Sequence, residues 1–557
     1  MSTNRQIPVL IIGAGPVGLT LAADLCWRGV DCLVVEPRTS INPHPRAISI
    51  GVRSMEHFRR LDLDQQVIDA GVPREQRLDV IYVTRMLGRE IHRFPIPSID
   101  DLATRRDDLA KAIPETTASP YYKTWTAQAP LERMLQSHLA GQPGVELRRG
   151  WRLQSFIEGD EEVEATLVDD ATGRIETINA RFVVGCDGAN STVREGLGVA
   201  LSGRGALGEA LGVYFRAPEL RSRLGATAGV MYWTLAPGCG GTIYTIDGGD
   251  EWVFNRYFAA GEKPHIDDPV ALIHGAIGEK IEVEIVSALD WTPRQLVADS
   301  YGSRRVFLAG DACHLFVPTG GFGMNTGIGD AADLAWKIEA SLAGWGGPSL
   351  MRSYDLERRP IGSRNTLEAA DNYARSGNIF EAVHDIEDDG PQGARTRAAI
   401  AASLPPKIKH FAPIGVHLGY YYEQSPIIVP DGTAPPPFDA ANYAPTARPG
   451  HRAPHVWLRD GRSTLDLFGR GFVLLSFDRD IDCSPLLEAA ALCGVPVSLH
   501  TIDDPTAAAI YATRLCLVRP DGHVAWRGDQ CPRCPQDVID IARGAKPEGV
   551  SKAAFAG

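Results

Sequence analysis

The sequence predicts an α/β fold in which a parallel sheet is interleaved with an antiparallel sheet, with a separate α/β domain at the C-terminal end. Three observations support this prediction. Short apolar strands that end in glycine occur at three distant positions, four aromatic-rich runs lie between them, and a strand–helix–strand pattern returns after a proline-rich stretch. The 557 residues, 44% of them apolar, are enough to build more than one core.

The first glycine segment has the pattern of a dinucleotide-binding turn. Four apolar residues, 9–12, predict a buried strand; they precede Gly13, Gly15 and Gly18, and an apolar helix follows. The first glycine permits the tight turn, the second lets the backbone approach a pyrophosphate, and the third lets helix and strand pack closely. Glu36 ends the next strand, where its carboxylate can accept hydrogen bonds from ribose hydroxyls. This segment therefore predicts a Rossmann-type domain.

A second stretch matches the same glycine spacing without the same context. Residues 203–208, Gly-Arg-Gly-Ala-Leu-Gly, follow no apolar strand, and residues 211–216 after them have the pattern of a strand. We interpret 203–208 as a loop. The chain is thus expected to hold one Rossmann-type site and no separate domain for a second nucleotide.

The two later glycine segments place acidic residues at the ends of strands. Residues 182–188 carry Asp187, residues 305–311 carry Asp311, and residues 318–325 then supply glycines that open a helix. Ligands of α/β sheets bind at the carboxyl ends of strands, so Asp311 is placed to accept hydrogen bonds from ribityl hydroxyls. A helix N-terminus stabilises the negative charge that a flavin carries on its N1–C2=O edge when reduced. Together the three segments predict FAD.

Four aromatic-rich runs predict the antiparallel sheet, within about residues 205–290. They cover residues 211–216, 229–235, 242–247 and 251–258. In the last run, alternation places Trp252, Phe254, Arg256 and Phe258 on one face and Val253, Asn255 and Tyr257 on the other.

The last third of the sequence predicts a linker and a further domain. A helical stretch with a charged run at 354–360, interpreted as a solvated or ion-paired helix face, ends the first unit at residue 383. Residues 384–450 are rich in Pro, Gly and Asp and are expected to form an extended surface linker. Residues 451–557 have strand, helix and strand patterns and form the C-terminal domain.

Composition narrows the class of protein. A net charge of −13 argues against nucleic acid and anionic membranes as partners, and no apolar run is long enough to span a membrane. The N-terminal residues show no secretory segment, and the ten cysteines are scattered, so a cytoplasmic location is expected. Cys531 and Cys534 have redox-motif spacing but follow a late strand, and no second Cys or His pair completes a zinc site. We therefore expect no metal and no catalytic dithiol.

On these motifs the chain resembles the single-component FAD-dependent aromatic hydroxylases of the para-hydroxybenzoate hydroxylase superfamily. It is most similar to the phenol hydroxylase-like branch, whose C-terminal domain is thioredoxin-like. The resemblance extends the cofactor site to Arg46 as a pyrophosphate contact and Gln128 as a flavin-side contact, and it assigns Asp187 to both FAD and the nicotinamide nucleotide. The full set of expected cofactor-binding residues is Gly13, Gly15, Pro16, Val17, Gly18, Glu36, Arg38, Arg46, Gln128, Asp187, Asp311, Pro318, Gly321, Gly323, Met324 and Asn325.

The resemblance also implies the reaction. The reduced flavin and O₂ form a C4a-hydroperoxide that hydroxylates a phenolic or polycyclic aromatic ring, with NADPH or NADH as co-substrate. The C-terminal domain is expected to be structural, in homodimer contacts. Where relatives can carry a carboxylate, this chain has Ile48, so the group that activates the ring is unassigned. Tyr232 and Arg53 are the candidates, and Arg216 or Arg256 would suit a substrate carboxylate.

Two alternatives remain open on the sequence. One is an epoxidising or Baeyer–Villiger monooxygenase acting on a polyketide, although typical Baeyer–Villiger enzymes carry two nucleotide fingerprints. The other is a non-catalytic FAD-binding redox protein. Neither the aromatic substrate nor the choice between NADH and NADPH follows from the residues.

Overall fold

The structure is a computed structural model that describes residues 5–259, 261–262, 264–377 and 384–546. The boundary expected at residue 383 and the segment 547–557 lie outside the described residues.

The strands are numbered along the chain. They are β1 (Arg5–Ile12), β2 (Cys32–Glu36), β3 (Ile50–Gly51), β4 (Val80–Val83), β5 (Glu90–Phe94), β6 (Lys123–Thr124), β7 (Val145–Arg149), β8 (Trp151–Glu158), β9 (Val163–Asp169), β10 (Ile175–Gly185), β11 (Leu201–Ala206), β12 (Glu209–Arg216), β13 (Met231–Thr234), β14 (Gly241–Thr245), β15 (Glu251–Phe258), β16 (Glu284–Trp291), β17 (Arg294–Ala298), β18 (Val306–Leu308), β19 (His314–Leu315), β20 (Phe472–Ser476), β21 (Val497–Thr501), β22 (Leu515–Val518) and β23 (Val524–Gly528).

The helices are numbered in the same way. They are α1 (Pro16–Trp27), α2 (Val52–Arg60), α3 (Asp64–Asp69), α4 (Ile99–Thr104), α5 (Arg106–Ala112), α6 (Gln128–Ala140), α7 (Thr192–Gly196), α8 (Leu220–Leu224), α9 (Pro269–Ile277), α10 (Phe322–Leu342), α11 (Ser349–Gly377), α12 (Pro391–Ser403), α13 (Ile414–Leu418), α14 (Ser484–Leu492), α15 (Pro505–Tyr511) and α16 (Pro535–Ala542). Short 3₁₀ turns cover Pro114–Thr117, Gly310–Ala312, Pro405–His410 and Thr464–Leu467. No helix in the described part of the chain is long and apolar enough to cross a membrane.

The first sheet confirms the predicted parallel arrangement. Its order is β7-β2-β1-β10-β9-β8, and β18 also pairs with β10. The pairs β7–β2, β2–β1, β1–β10 and β10–β18 are parallel, whereas β9 and β8 extend the sheet antiparallel. Helix α1 connects the parallel strands β1 and β2, which is the predicted Rossmann-type crossover.

The second sheet confirms the four aromatic-rich runs as strands. Its order is β16-β12-β15-β14-β13-β4-β5, and every pair is antiparallel except β13–β4. One face, with Trp252 and Phe254, packs under Leu272 and Ile273 of α9. The other face, with Tyr214 and Val253, packs toward the core of the first sheet.

The prediction of a loop at residues 203–208 is wrong. Residues 201–206 form β11, which pairs antiparallel with β17 and carries a bulge between Gly203 and Gly205. The glycines serve this pairing, because a Cβ on Gly203 would lie 2.3 Å from the carbonyl oxygen of Gln295. No helix follows β11, so the segment still lacks the context of a nucleotide site.

The C-terminal domain has the topology of the thioredoxin fold. Its sheet order is β21-β20-β22-β23, with β20 parallel to β21 and antiparallel to β22. Leu474 of β20 packs on one face with Leu486 and Val538 of α14 and α16. Leu475 packs on the other face with Tyr511 of α15. The sequence placed these strands correctly because their apolar runs are short and bounded by turns.

The connecting segment is less extended than expected. Its described residues, 384–450, include α12, α13 and a 3₁₀ turn, and Ile427 and Val429 are buried against the C-terminal domain. Proline and glycine counts predicted extended chain, but Pro391 occupies the first turn of α12, where proline is tolerated.

Buried ion pairs join the first unit to the C-terminal domain. Glu56 of α2 accepts a hydrogen bond from Arg452 Nε at 2.9 Å and another from Arg53 at 2.8 Å, and all three side chains are buried. Burial opposes the charged form of Glu56, yet Arg452 and Arg53 lower its pKa to about 2. A second buried cluster links Asp333, Lys337 and Glu357 to Arg519.

We expect Arg452→Ala to destabilise the protein strongly. The substitution removes the bidentate partner of a buried carboxylate, and breaking a buried ion pair in this way costs about 3–5 kcal/mol. Urea denaturation followed by far-UV circular dichroism measures the loss. Arg462→Ala is the matched control, because Arg462 pairs with Asp460 at the surface. Equal denaturation midpoints for the two variants would contradict the proposed contribution of the buried pair.

Candidate functional site

The structure brings the three glycine segments to one edge of the first sheet. Ile12 lies opposite Gly185, and Gly185 opposite Leu308, in adjacent parallel strands. The N–H of Cys186 donates to the carbonyl of Ile12 at 2.7 Å, and that of Ala309 donates to the carbonyl of Gly185 at 2.9 Å. The residues that follow each strand therefore share one edge, where ligands of α/β sheets bind.

The first turn depends on missing side chains. Gly13 has φ +106°, and a Cβ there would lie 2.3 Å from the carbonyl oxygen of Cys186. A Cβ on Gly18 would lie 2.0 Å from the carbonyl oxygen of Gly13. A Cβ on Gly15, in contrast, would have no atom of the described protein within 4 Å. The fold therefore needs glycine at positions 13 and 18, whereas Gly15 borders open space at the N-terminus of α1.

Glu36 stabilises the same turn through hydrogen bonds, and its side chain is half-exposed. One oxygen accepts the N–H of Ala14 at 2.9 Å, and the other accepts the N–H of Arg38 at 3.0 Å. Pro16 begins α1, and Val17 packs against Gly310 and Gly327.

Asp187 has a buried oxygen that no described residue satisfies. Its Oδ2 accepts the N–H of Val193 at 3.2 Å, while Oδ1 has no hydrogen-bond partner within the described chain. Burial raises the pKa of this carboxyl group. A buried oxygen without a donor is costly, so Asp187 fits a site where a ligand hydroxyl or amide supplies one.

Asp311 lies in the 3₁₀ turn after β18, the strand that pairs with β10. Asp311 is exposed to solvent on the side of the cleft. Protein atoms nevertheless crowd around its carboxyl group, and this desolvation raises its pKa, whereas His314 and Arg46 act to lower it. The turn is held by Asp330, which accepts the N–H of Gly310 at 3.2 Å and pairs with Arg358 at 2.9 Å. Asp311 itself thus remains open to the cleft.

The start of α10 completes this edge. Gly320 and Gly321 have φ of +96° and +67°, and the helix begins at Phe322, leaving the N–H groups of its first turn without helical partners. Pro318 is exposed and Gly321, Gly323 and Met324 are half-exposed. Asn325 differs from the expectation, because its side chain accepts from Gly51 N–H and Ser54 hydroxyl, both at 2.7 Å. That side chain therefore joins α10 to α2.

Arg46 and Gln128 lie near the same cleft. Arg46 is exposed and close enough to lower the pKa values of both Asp311 and His44. Gln128 begins α6; its N–H donates to the carbonyl of Ala47 at 2.8 Å, and its side chain donates to Glu132 at 2.7 Å. Arg38 is exposed in the loop that follows Glu36.

The two catalytic candidates are placed elsewhere. Tyr232 faces α9, its hydroxyl accepts the N–H of Gly229 at 2.9 Å, and burial raises its pKa to about 12. Arg53 is buried between Glu56 and the carbonyl of Asp521 at the C-terminal domain. Neither side chain faces the cofactor cleft, because strand parity turns Tyr232 toward α9 and the domain interface encloses Arg53.

The candidate substrate arginines also lie outside the cleft. Arg216 pairs with Glu251 and Glu284 at the surface. Arg256 lies on the outer face of the sheet and donates to the carbonyl of Gly238 at 3.2 Å. The inner face instead presents Asn255 and Trp291 beside His44, and none of these three is among the site residues predicted from the sequence. The only signal was the alternation of β15, which separates Asn255 from the outer aromatic residues.

The Cys531–Cys534 pair and the buried group around Asp330 lie outside the cofactor-facing residues described above. Cys534 is exposed at the start of α16 and Cys531 is half-buried beside it. Cys313, His314 and Asp330 lie within metal-binding distance of one another, but Asp330 already pairs with Arg358. This group supports the turn at Gly310.

The donor set of the cleft fits a flavin dinucleotide. It combines an open glycine turn at a helix N-terminus, a ribose-side carboxylate, an unsatisfied Asp187 oxygen and a second helix N-terminus at α10.

Comparisons with known proteins agree with this geometry. Residues 6–369 match the FAD binding domain family, and residues 446–542 match the aromatic-ring hydroxylase C-terminal family. The chain is 34% identical to tetracenomycin B2 monooxygenase-dioxygenase of Streptomyces olivaceus over 96% of this chain and 97% of that protein.

Two solved structures are similar over nearly the whole chain. The rebeccamycin biosynthetic enzyme RebC with reduced flavin is 38% identical, with a TM-score of 0.87 and coverage of 98% of this chain and 100% of that one. Aklavinone-11 hydroxylase in ternary complex with FAD and aklavinone is 28% identical, with a TM-score of 0.81 and coverage of 97% and 100%. These matches confirm the resemblance and the fold class stated from the sequence. The chain belongs to the FAD-binding family of aromatic-ring hydroxylases and is a flavoprotein monooxygenase.

Proposed function

We propose that this monooxygenase hydroxylates a phenolic or polycyclic aromatic ring, using NAD(P)H and O₂. The observation that carries the proposal is a row of aromatic side chains that begins on the inner face of the second sheet and continues onto α11. Trp291, Tyr257 and Tyr373 follow one another edge to face, with ring centroids 6.1 and 6.0 Å apart. Tyr373 and Phe316 pack in one apolar cluster with Phe322, the first residue of α10. This wall suits a flat aromatic substrate.

The overall reaction balances as a hydroxylation. An aromatic C–H, O₂, NAD(P)H and one proton give an aromatic C–OH, NAD(P)⁺ and water. Bound FAD supplies hydride acceptance and oxygen activation. The protein binds the cofactor, positions the ring and excludes bulk water.

Named residues perform these tasks. The N–H groups at the α1 N-terminus near Gly15 would donate to the pyrophosphate, while Glu36 would accept hydrogen bonds from ribose hydroxyls and Asp311 from ribityl hydroxyls. Arg46 and Gln128 line the cofactor cleft. The unsatisfied Oδ1 of Asp187 would accept a hydrogen bond from the cofactor. The first turn of α10 stabilises the anionic edge of the reduced ring through its free N–H groups.

The relatives support the substrate class. One is named for tetracenomycin B2 and a second was solved with aklavinone. Neither name decides the ring that this chain accepts or the choice between NADH and NADPH.

The function is tested with a panel of aromatics and the FAD-loaded enzyme. We expect at least one of phenol, 2-naphthol and 1,8-dihydroxyanthraquinone to accelerate NAD(P)H oxidation, with a product heavier by one oxygen atom that derives from ¹⁸O₂. NMR of the product separates a ring hydroxyl from an epoxide or a ring-expanded ester. A panel in which no aromatic accelerates NAD(P)H oxidation or gains oxygen would refute the proposal.

A pair of glycine variants tests the cofactor cleft. Gly15→Ala should leave the melting temperature of the FAD-free protein unchanged, because its Cβ meets open space, but should weaken FAD binding at least tenfold by filling the pyrophosphate approach. Gly13→Ala should lower the melting temperature itself, because its Cβ would overlap Cys186 and its φ is positive. Differential scanning fluorimetry and FAD fluorescence titration measure the two effects. Unchanged FAD affinity in Gly15→Ala would exclude this placement of the pyrophosphate.

A further inference from the structure

Three polar atoms meet over one glycine on the inner face of the second sheet. A Cβ on Gly212 of β12 would lie 3.1 Å from Asn255 Oδ1, 3.2 Å from His44 Nε2 and 3.6 Å from Trp291 Nε1. We call Gly212 and these three side chains the polar notch. The notch exists because residue 212 has no side chain.

None of the three atoms has a hydrogen-bond partner among the described residues. Asn255 uses its Nδ2 to donate to the Tyr244 hydroxyl at 3.2 Å, which leaves Oδ1 facing the notch. His44 uses Nδ1 in a 2.8 Å contact with Ser287 Oγ, which leaves Nε2 facing the notch. His44 and Asn255 are mostly buried and Trp291 is half-buried, so a polar group of a ligand that enters the notch would meet three atoms able to pair with it.

The combination of groups favours a hydroxyl. Trp291 offers an N–H donor, while Asn255 offers a carbonyl acceptor. His44 offers a second acceptor when Ser287 accepts from Nδ1–H, because the neutral imidazole then has its lone pair on Nε2. A phenolic hydroxyl both accepts and donates, so it can take the Trp291 N–H and give its own proton to His44.

We propose that the polar notch binds a hydroxyl group on the substrate ring and that His44 Nε2 accepts its proton during hydroxylation. The proposal rests on the proposed function, and it fills the role left open by Ile48. The phenolic O–H bond breaks as the ring gains oxygen, the proton passes to His44, and it returns to the product or to solvent when the ring regains aromaticity. The aromatic wall runs from Trp291 in the notch through Tyr257 to Tyr373, and Tyr373 packs in one apolar cluster with Phe322 at the start of α10.

The charge state of His44 agrees with an acceptor. Burial lowers its pKa below the ordinary 6.5, and the neighbouring Arg46 lowers it further. Tyr214 of β12 faces the imidazole edge to face at 6.4 Å; β16 presents Ser287 and Trp291, and β15 presents Asn255. Asp290 lies on the opposite face of β16, in register with Leu211. His44 is therefore neutral at pH 7 and becomes cationic, and unable to accept, only as pH falls through this lowered pKa.

The test compares phenols with their methyl ethers in the FAD-loaded enzyme without NAD(P)H. The probes are phenol, 2-naphthol, 1,8-dihydroxyanthraquinone and the corresponding methyl ethers, with dissociation constants taken from the change in flavin absorbance between pH 5 and 9. We expect the wild type to prefer the hydroxyl form roughly tenfold at pH 8, in line with one or two hydrogen bonds to a neutral partner. The preference should fade at the acidic end.

Three variants separate the roles within the notch. His44→Gln keeps an acceptor that does not titrate, so the preference should persist at pH 5 while product formed per NAD(P)H falls at least severalfold. Trp291→Phe should weaken binding of the phenol and of its methyl ether alike, because either oxygen can accept the indole N–H, and it should leave the preference and its pH dependence unchanged. Gly212→Ala should abolish the preference by placing a methyl group between the three polar atoms, although it removes none of them.

His500→Gln is the matched control, because burial lowers the pKa of His500 too but it lies in the C-terminal domain. Wild-type preference and pH dependence in both His44→Gln and Gly212→Ala would overturn the inference while leaving the proposed function intact. A selective loss of NAD(P)H affinity in these variants would reassign the notch to the nicotinamide carboxamide and also overturn it. If no probe binds or is oxygenated by the wild type, the proposed function fails as well.

Discussion

The site depends on the close approach of α1 and α10, which only glycine permits. A Cβ on Gly327 would lie 2.5 Å from Val17 Cγ2 and 2.9 Å from the Cα of Gly310. A Cβ on Gly18 would overlap the turn at Gly13. Because these side chains are missing, both helices begin at the same edge of the parallel sheet, and both helix N-termini face one cleft. The two positive helix ends can then act on one ligand with two separated anionic groups.

Helix α10 also connects the C-terminal domain to this cleft. Its first turn lines the site, Asp330 holds the turn before Asp311, and Asp333 and Lys337 join the buried cluster with Arg519. Arg519 and Lys337 lower the pKa of Glu357 to about 2 against the opposing effect of burial, so its carboxylate stays charged. Such pairs contribute little over apolar packing but are costly to break singly. The C-terminal domain thus stabilises the helix that carries the cofactor-facing turn.

Much of this arrangement could be predicted from the sequence. The glycine turns, the strand runs and the order of the C-terminal elements depend on local patterns, and the structure confirms them. The features that the sequence does not predict depend on contacts distant along the chain. Arg53 has the sequence pattern of a helix-start arginine, but its guanidinium donates to the carbonyl of Asp521, which lies 468 residues later. The local pattern of residues 203–208 predicts a loop because the partner strand β17 lies some 90 residues later, as the pairing of Gly205 with Gln295 shows.

The second sheet shows why parity matters more than residue type. Alternation along β15 separated Arg256 from Asn255 in the sequence, but nothing local said which face would meet the cofactor domain. The pairing of β12 with both β15 and β16 decides it, because Gly212 lies opposite Asn255 and Leu289 in register. Ser287 lies opposite Tyr214 on the same face and holds His44 there. A slip of one residue would turn Asn255 outward and bring Arg256 in, replacing a carbonyl acceptor with a cation. The neutral character of the polar notch is therefore a consequence of register, and the aromatic side chains packed under α9 are what fix that register.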